Sequence, residues 1–323
     1  MFKYLTGIKP TGELHLGNYV STIKPILPFK DETIFLIADL HALTTIQNKK
    51  ILVKNRQEII KILKSFDIHN IVIQSQIPEI SELNTILSAY TSKGLLNRSH
   101  AYRSIKEDNE EKEKDSDKGV NSLLYTYPIL MTADLVSFNT KYVTIGPDQV
   151  QHIEMANDIV NKFNHVNKTD ILKVPEPMIT HHSIPGYDGR KMSKSYNNII
   201  PLFCSESKLK KHIFSIKTND KRDGEPKHIN ESPITQLFEL FSTNEELFGL
   251  KIDMKNGIGW KQVKERTFEK VNNDIKEGRN KYKELEGKEE YLENKCINFS
   301  RNNTRAYIQE RVTDEVKHMI IGI

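Results

Sequence analysis

Residues 6–18 read TGIKPTGELHLGN and run from a strand pattern, through a turn with glycine and proline, into a helix pattern. Where a strand meets a helix start, free backbone N–H groups and the positive end of the helix dipole favour phosphate. Gly17 has no side chain to hold a ligand away from the backbone. His15 and Asn18 are three residues apart and share one helix face. The stretch predicts a nucleotide pocket; capping or surface residues are the commoner reading of these two side chains.

The same alternation of strand and helix patterns continues over residues 1–200. Predicted strands lie at residues 2–8, 33–39, 70–75 and 142–145. Predicted helices lie at residues 14–27, 51–66 and 80–92, and another begins near Gln149. In that last helix, apolar residues recur at three- and four-residue spacing, which places them on one face. The alternation indicates an α/β fold with a parallel sheet covered by helices on both faces.

After Ser195 the β-rich runs fade and helix patterns remain, which predicts an α-helical second domain. The predicted helices lie at residues 205–217, 233–241, 257–277, 281–294 and 304–320. Residues 251–283 contain ten basic and five acidic residues. This local excess marks a candidate nucleic-acid face, although a solvated helix surface is the commoner meaning of such a run.

Composition limits the class of protein. A chain of 323 residues is long enough for about two domains, and 47 basic against 43 acidic residues neither demands nor excludes a polyanionic partner. Cys204 and Cys296 are too few for a disulfide scaffold or an iron–sulfur cluster. We find no secretory signal and no apolar run long enough to span a membrane. We therefore expect a protein of the cytoplasm, a reducing compartment.

Residues 106–118 hold eleven charged residues among thirteen, four basic and seven acidic. Such a density disfavours packed structure, so the sequence predicts a mobile surface loop inside the α/β half.

Residues 189–195 read GRKMSKS and place Lys191 and Lys194 in a loop of small residues. Two ammonium groups held there could neutralise the charge that grows on a leaving pyrophosphate. The alternative is an ordinary solvated surface turn. Neither GxGxxG nor GxxxxGK[ST] occurs, which argues against a dinucleotide oxidoreductase and a P-loop NTPase.

These motifs together resemble those of the class I aminoacyl-tRNA synthetases, with residues 15–18 (HLGN) as the HIGH-like element and residues 191–195 as a complete KMSKS. Further blocks resemble the tryptophanyl-tRNA synthetase family, at residues 35–42, 127–134, 146–152, 224–227 and 257–260. The resemblance implies a Rossmann-like doubly wound catalytic domain at residues 1–200. It also implies a mainly helical anticodon-binding domain at residues 201–323, whose last helix packs back on the catalytic domain.

The resemblance also implies roles for individual residues. The catalytic group comprises Lys191, Lys194, His15 and Asn18. The expected contacts to ATP are Lys9, Pro10, Thr11, Gly17, Asn18, Gly146, Pro147, Asp148, Ile184, Lys191, Met192, Ser193, Lys194 and Ser195. One of Lys106, Lys112, Lys114 and Lys118 would be a mobile phosphate-contacting lysine. Mg²⁺ would arrive with ATP and no protein-bound metal is expected; tRNA(Trp) and a second copy of the chain would be the partners.

An amino-acid pocket can be argued from the chemistry of indole, which offers one N–H donor and a large apolar face. Asp134, one helical turn beyond Met131, would supply the acceptor, and Val143 and Ile145 would face the same side of one strand. The expected tryptophan contacts are Asp134, Met131, Tyr127, His41, Val143, Ile145 and Gln149. Asp134 on an ordinary amphipathic helix is the alternative.

The sequence also suggests roles for three neighbouring residues. Asp148, just before a predicted helix, could serve as its N-cap as well as a ligand contact. Gln151 is a possible second contact to the substrate, and His152 is interpreted as structural.

The implied activity is a two-step ligase reaction: tryptophan attacks the α-phosphate of ATP and is then transferred to the terminal adenosine of tRNA. A tyrosyl-tRNA synthetase is one alternative, but it would need a polar pair suited to a phenol. A catalytically silent, synthetase-like RNA-binding protein is the other, and the intact lysines of the closing loop argue against it.

Overall fold

A computed structural model describes residues 2–180 and 184–321 of the chain and has a five-stranded parallel sheet at its centre. The strands are β1 (Tyr4–Ile8), β2 (Thr33–Ile37), β3 (Ile71–Ile73), β4 (Tyr142–Ile145) and β5 (Glu176–Ile179). Their order is β3-β2-β1-β4-β5, and every neighbouring pair is parallel. The four predicted strands are confirmed. Sequence patterning missed β5, an edge strand that is largely exposed and contains Pro177, so it lacks the apolar run of a central strand.

The α-helices of the described residues follow in chain order. They are α1 (Leu16–Asn18), α2 (Asp39–Ala42), α3 (Lys49–Ser65), α4 (Pro78–Ser88), α5 (Lys93–Leu96), α6 (His100–Glu111), α7 (Ser122–Ser137), α8 (Val150–Asn167), α9 (Glu206–Phe214), α10 (Pro233–Leu240), α11 (Asn244–Lys255), α12 (Trp260–Glu284), α13 (Glu289–Phe299), α14 (Arg305–Ile308) and α15 (Asp314–Ile321). None of the helices described is both long and apolar enough to cross a membrane.

Most of the predicted helices are confirmed within a few residues, two differ, and some observed helices, α11 among them, were not predicted. The helix predicted at residues 14–27 is α-helical only over α1, then becomes a π-helical turn (Tyr19–Ile23) and a 3-10 segment (Lys24–Glu32). Pro25 and Pro28 lack the N–H groups that an α-helix needs there. The helix predicted at residues 281–294 was wrong, because α12 continues to Glu284 and α13 begins only at Glu289. Helix α11 was missed; its buried side chains are few, so its pattern is weak.

The prediction of a mobile loop at residues 106–118 was wrong for its first half, which belongs to α6. Opposite charges there lie four residues apart, as in the pairs Lys106–Glu110 (3.7 Å) and Lys112–Asp108 (2.5 Å). Such pairs support an exposed helix. Asn109 is buried and donates to the carbonyls of Ser116 and Lys118, which fixes the turn that follows.

Apolar side chains cover both faces of the sheet, so the predicted doubly wound architecture is confirmed. Alternate strand residues point to opposite faces: Phe35 and Ile37 pack with α3, α9, α10, α12 and α13, whereas Ile34 and Leu36 pack with α4, α7 and α8. The first apolar cluster thus joins residues from both halves of the sequence. In the second cluster, Val316 of the C-terminal α15 packs beside residues of the sheet.

A buried ion network joins the sheet to α13. Arg56 on α3 donates to Asp39, the first residue of α2 (3.0 Å), and to Glu293 on α13 (2.6 Å). Asp39 also accepts from the backbone N–H and the hydroxyl of Ser75. The network fixes the carboxyl ends of β2 and β3, where the site described next begins.

Candidate active-site cleft

A cleft of about 770 Å³ opens at the carboxyl ends of β1 and β4. The chain leaves β1 towards β2 on one side and later adds β4 on the other, so the connections diverge at this point. Such a switch point in an open parallel sheet is the usual position of a ligand crevice. The cleft walls come from the end of β1, the start of α1, α7, the turn after β4 and residues 184–196.

Nearly all of the predicted site residues line this cleft. They are Lys9, Thr11, His15, Gly17, Asn18, His41, Tyr127, Met131, Asp134, Val143, Ile145, Gly146, Pro147, Asp148, Gln149, Ile184, Lys191, Met192, Ser193, Lys194 and Ser195. Pro10 does not line it: this residue is buried in the turn, and its carbonyl accepts a hydrogen bond from Asn55 (3.1 Å).

Two further predicted contacts also lie outside the lining that the structure describes. The side chain of Gln151 is hydrogen-bonded outside the cleft: its amide donates to the carbonyl of Arg98 (3.0 Å) and accepts from the N–H of His100 (2.9 Å). The candidate lysines at positions 106, 112, 114 and 118 are outside it too.

The start of α1 forms one end of the cleft. Asn18 uses its side-chain oxygen to accept the backbone N–H of His15 (3.2 Å), which leaves its amide N–H groups for a ligand. A Cβ at Gly17 would lie 2.7 Å from Nδ1 of His15, so the glycine makes room for this imidazole. Burial, with a smaller contribution from the charge of Lys194, lowers the pKa of His15 to about 4. The imidazole is therefore neutral near pH 7.

Residues 184–196 form a loop that faces this end. The backbone N–H of Met192 donates to Ile184 (2.7 Å), and that of Ser193 donates to the side chain of Asn198 (2.8 Å). Asn198 is fully buried and also donates to Asp188 (2.7 Å). The hydrogen bond from Asn198, together with Arg190, lowers the pKa of Asp188 to about 2. The alternative interpretation of this segment as an ordinary solvated surface turn is therefore wrong, because internal hydrogen bonds brace the loop.

Lys194 reaches from this loop across the cleft to the turn after β1. Its Nζ lies 3.5 Å from the carbonyl of Thr11, and a Cβ on Gly12 would come within 3.1 Å of the same nitrogen. Partial burial lowers the pKa of Lys194, while Glu13 opposes the shift. Lys191 of the same loop also lines the cleft, so this loop contributes two cations to it.

The opposite end is an apolar pocket with a buried carboxylate at its base. Asp134 is 6% exposed, so the alternative of an ordinary polar residue on an amphipathic helix is wrong. His41 lies 2.8 Å from Asp134 Oδ2, and Gln74 donates to both carboxylate oxygens (2.8 and 3.0 Å). Apolar walls surround this group; they include Leu5, Leu36, Met131, Leu135, Val143 and Ile145.

Tyr127 separates the apolar pocket from the turn after β4. Its ring packs edge-on against His41 (4.7 Å between centroids) and His152 (5.0 Å). Burial, together with the charges of Asp134 and Asp148, raises the pKa of Tyr127, so its hydroxyl keeps its proton and donates to Gln149. Burial also lowers the pKa of His152 to about 4.

Asp148 belongs to a 3-10 turn (Pro147–Gln149), and α8 begins only at Val150. The interpretation of Asp148 as an N-cap was therefore wrong. The side chain of Gln149 instead donates to Asp148 (2.8 Å). A Cβ at Gly146 would lie 2.7 Å from Asp148 Oδ1, so glycine allows the carboxylate to turn back towards the cleft.

Sequence reasoning missed the residues that hold the site residues in place, above all Gln74 and Asn198. Gln74 carried a usable signal, because it is a polar residue that directly follows the buried strand β3. Asn198 carried none, since its partners are backbone groups and Asp188 within its own loop.

The cleft thus combines a cationic end with a carboxylate in an apolar pocket. Lys191 and Lys194 are placed to bind a polyanion, and Asp134 is placed to accept a hydrogen bond from an apolar ligand. Over residues 2–180 and 184–321, no group of three His, Cys, Asp or Glu side chains is arranged to hold a metal ion.

Comparisons with known proteins agree with this geometry. The family model described as "tRNA synthetases class I (W and Y)" matches residues 1–307. The tryptophan–tRNA ligase of Pseudomonas aeruginosa is 39% identical over 303 residues, which cover 90% of this chain and 68% of that protein. That of Xylella fastidiosa is 38% identical over 293 residues, covering 88% of this chain and 67% of that protein.

Among solved structures, this chain is similar to the tryptophanyl-tRNA synthetase of Campylobacter jejuni in complex with ADP and tryptophan. The TM-score is 0.81 and the identity 34%, and the match covers 100% of both chains.

The lowered pKa values of the buried His15 and His152 predict acid lability. His15 and His152 have folded pKa values of about 4, against about 6.5 in the unfolded chain. As the pH falls, these histidines are protonated in the unfolded chain before they are protonated in the folded chain. The free energy of unfolding is therefore retained above about pH 6.5 and decreases as the pH falls towards 4. Each histidine should contribute about 1.4 kcal/mol per pH unit inside that window. Urea unfolding of the wild type and of His152→Leu at different pH values checks this. The variant should lose about half of the pH dependence of the unfolding free energy that the two histidines contribute. An unchanged pH dependence contradicts the assignment.

Proposed function

The chain belongs to the class I tRNA synthetases for tryptophan and tyrosine, and we infer from its cleft how it carries out that family's reaction. It is a tryptophan–tRNA ligase. Such an enzyme converts tryptophan and ATP to tryptophanyl-adenylate and pyrophosphate, and then transfers tryptophan to the 3′ end of its tRNA. Relatives named as tryptophan–tRNA ligases support this over a tyrosyl-tRNA synthetase and over a silent RNA-binding homologue.

The observation that carries the proposal for tryptophan is the buried carboxylate of Asp134 beneath apolar walls. An indole needs one acceptor for its N–H and apolar surfaces for its ring faces. A phenol would need both a donor and an acceptor. We assign the indole N–H to Asp134, and its ring to the slot between Met131 and the strand residues Val143 and Ile145.

The first step needs no nucleophile from the protein. An α-carboxyl group titrates near 3.5 and is already ionised at pH 7, so the tryptophan carboxylate itself attacks the α-phosphate. Catalysis then rests on holding the two reactants in line and on stabilising the negative charge of the leaving pyrophosphate. The cleft is suited to both tasks, because the residues of the apolar pocket and of the cationic loop line the same cleft.

We assign Lys191 and Lys194 to the polyphosphate, where pre-placed ammonium groups counter the charge that develops as pyrophosphate leaves. His15, neutral near pH 7, and the free amide N–H groups of Asn18 are placed to hydrogen-bond the nucleotide. Gly146 and Asp148 border the nucleotide on the β4 side.

Mg²⁺ is proposed to enter with ATP as part of the substrate. The described lining has the carboxylates Asp134 and Asp148, which lie at the pocket base and in the turn after β4. Both already accept side-chain hydrogen bonds. The ATP phosphates would therefore supply the ligands of the ion.

For the tRNA, we propose that the helical part from residue 201 onward binds the anticodon, with contacts from the lysine-rich region 251–283. Several basic residues of this region are engaged in the fold: Arg266 pairs with Asp253, Lys270 with Glu246 and Lys281 with Asp67. The exposed lysines of the region without such a partner are Lys251, Lys255, Lys261, Lys276 and Lys283. These five define the proposed phosphate-contacting set.

Two broader properties are proposed from the family resemblance. The active form is a homodimer, which sedimentation can test. The enzyme acts in the cytoplasm, where its free cysteines Cys204 and Cys296 would stay reduced.

Asp134→Ala tests the tryptophan pocket. It removes a charged hydrogen-bond partner that contributes roughly 1.5–3 kcal/mol, so tryptophan should bind about ten- to a hundredfold more weakly. ATP affinity should change little. An analogue with carbon in place of the ring N–H should bind the wild type poorly, and the two ligands should become nearly equal in the variant. Calorimetry measures both affinities, and a wild type that does not discriminate between them rules out Asp134 as the acceptor.

Lys194→Ala tests the role of the loop. Loss of one electrostatic donor costs on the order of 3 kcal/mol in comparable sites, so tryptophan-dependent pyrophosphate exchange should slow about a hundredfold. Lys191→Ala should act in the same direction to a lesser degree. Lys208→Ala is the matched control, because this exposed lysine of α9 lies outside the described cleft lining. A defect confined to the dissociation constant of tryptophan would contradict the assignment.

Charge reversal tests the proposed tRNA surface. Combining Lys261→Glu and Lys276→Glu should raise the KM for tRNA severalfold and leave tRNA-free pyrophosphate exchange nearly unchanged, because phosphate contacts contribute to affinity rather than to the first step. Lys162→Glu on α8 with Lys173→Glu is the control pair on exposed lysines of the α/β half. Equal effects of the two pairs would place the RNA surface elsewhere.

A further inference from the structure

Gln74 lies beside the proposed indole acceptor, and its contacts determine how its amide is oriented. The side chain is fully buried in the 3-10 turn that follows β3. Its oxygen accepts from the backbone N–H groups of Leu40 (3.0 Å) and His41 (3.3 Å). Both partners are obligatory donors, so the atom facing them has to be the oxygen. The amide nitrogen must therefore point to the opposite side, towards Asp134.

On that side the amide nitrogen donates to both oxygens of Asp134, at 2.8 and 3.0 Å. His41 Nε2 approaches Oδ2 at 2.8 Å. The carboxylate is thus held by side chains from two other elements, the turn after β3 and α2. A carboxylate has about four acceptor sites, so these contacts leave capacity for one more donor from the cleft.

We propose that Gln74 is a positioning residue for amino-acid selection, which holds the Asp134 carboxylate in the orientation that accepts an indole N–H. The inference rests on the proposed role of Asp134. Gln74 would not touch the ligand, since it lies outside the described lining of the cleft. It acts through Asp134 on one side and through the backbone of His41 on the other.

The effect should be one of specificity, not only of stability. Without the amide, the Asp134 carboxylate can rotate or bind water, and the indole N–H loses its fixed acceptor. A ligand lacking the N–H would lose nothing by that change. Removal of Gln74 should therefore reduce the preference for tryptophan over its carbon isostere, which a loss of packing alone would not do.

Two variants separate the interactions of the amide. Gln74→Met keeps the length of the side chain but removes its donor and acceptor. Gln74→Glu keeps the shape of the side chain and its acceptor oxygen. The introduced carboxyl group can donate to Asp134 only while the two carboxyl groups share a proton. Two carboxyl groups at one site cannot both ionise easily, so one keeps its proton at a raised pKa. The other groups that face this pair are His41 and, across it, Tyr127.

The expected result for Gln74→Met is tryptophan binding ten- to a hundredfold weaker, with a matching loss of discrimination against the isostere and unchanged ATP affinity. For Gln74→Glu, tryptophan affinity should approach that of the wild type at low pH and fall as the pH rises through the pKa of the shared proton. The wild type should lack this step. Gln76→Met is the matched control, because Gln76 lies in the same turn but accepts from Arg301 (2.8 Å).

The experiment is calorimetric titration of tryptophan and its isostere into these variants and into Asp134→Ala, with thermal unfolding as the check of the fold. If Asp134→Ala binds tryptophan as the wild type does, the proposed pocket fails and this inference with it. If Asp134→Ala binds weakly but Gln74→Met discriminates like the wild type, only the role of Gln74 is overturned. Should Gln74→Met not fold, Gln74→Glu decides, and a flat pH profile overturns the inference.

Discussion

The cleft and the residues around it follow from the position of β1 in the middle of a parallel sheet. Because all strands run the same way, their carboxyl ends meet at one edge. Because β2 and β4 lie on opposite sides of β1, the connections separate there and leave a crevice. The start of α1 leaves β1, the turn with Asp148 leaves β4, and the lysine loop follows β5. Topology alone therefore brings residues far apart in sequence to one site.

Within that crevice, two environments differ in their chemistry, and we propose that each binds one of the two substrates. The end with Lys191 and Lys194 suits a polyphosphate, whose charge grows during the reaction. The end with Asp134 suits an apolar ring with a single donor. At each end, a buried side-chain amide that does not line the cleft holds a site residue in place. Asn198 accepts a hydrogen bond from the lysine loop, and Gln74 donates to the carboxylate of Asp134. The positions of the lysine loop and of the Asp134 carboxylate thus depend on side chains that do not line the cleft.

Local patterns predicted the elements that bury continuous apolar runs, such as β1 to β4, and the motifs whose residues are close in sequence. They failed where the outcome depends on distant partners. The charged stretch of α6 is helical because its charges pair at four-residue spacing, although its composition suggested a loop. Asp148 does not cap α8, because a 3-10 turn (Pro147–Gln149) precedes the helix and places Gln149 at its N-cap position. Gln74 joins Asp134 across sixty residues of sequence, a separation that no local pattern reveals.

We conclude that one cleft activates tryptophan and excludes tyrosine, because Asp134 offers one acceptor to an indole N–H among apolar walls, whereas a phenol oxygen would need a donor as well. Amino-acid-dependent exchange of labelled pyrophosphate into ATP measures this step directly, without tRNA. We expect rapid exchange with tryptophan and near-background exchange with tyrosine at equal concentration. Exchange that is faster with tyrosine, or absent with both amino acids, would show that the cleft does not select tryptophan.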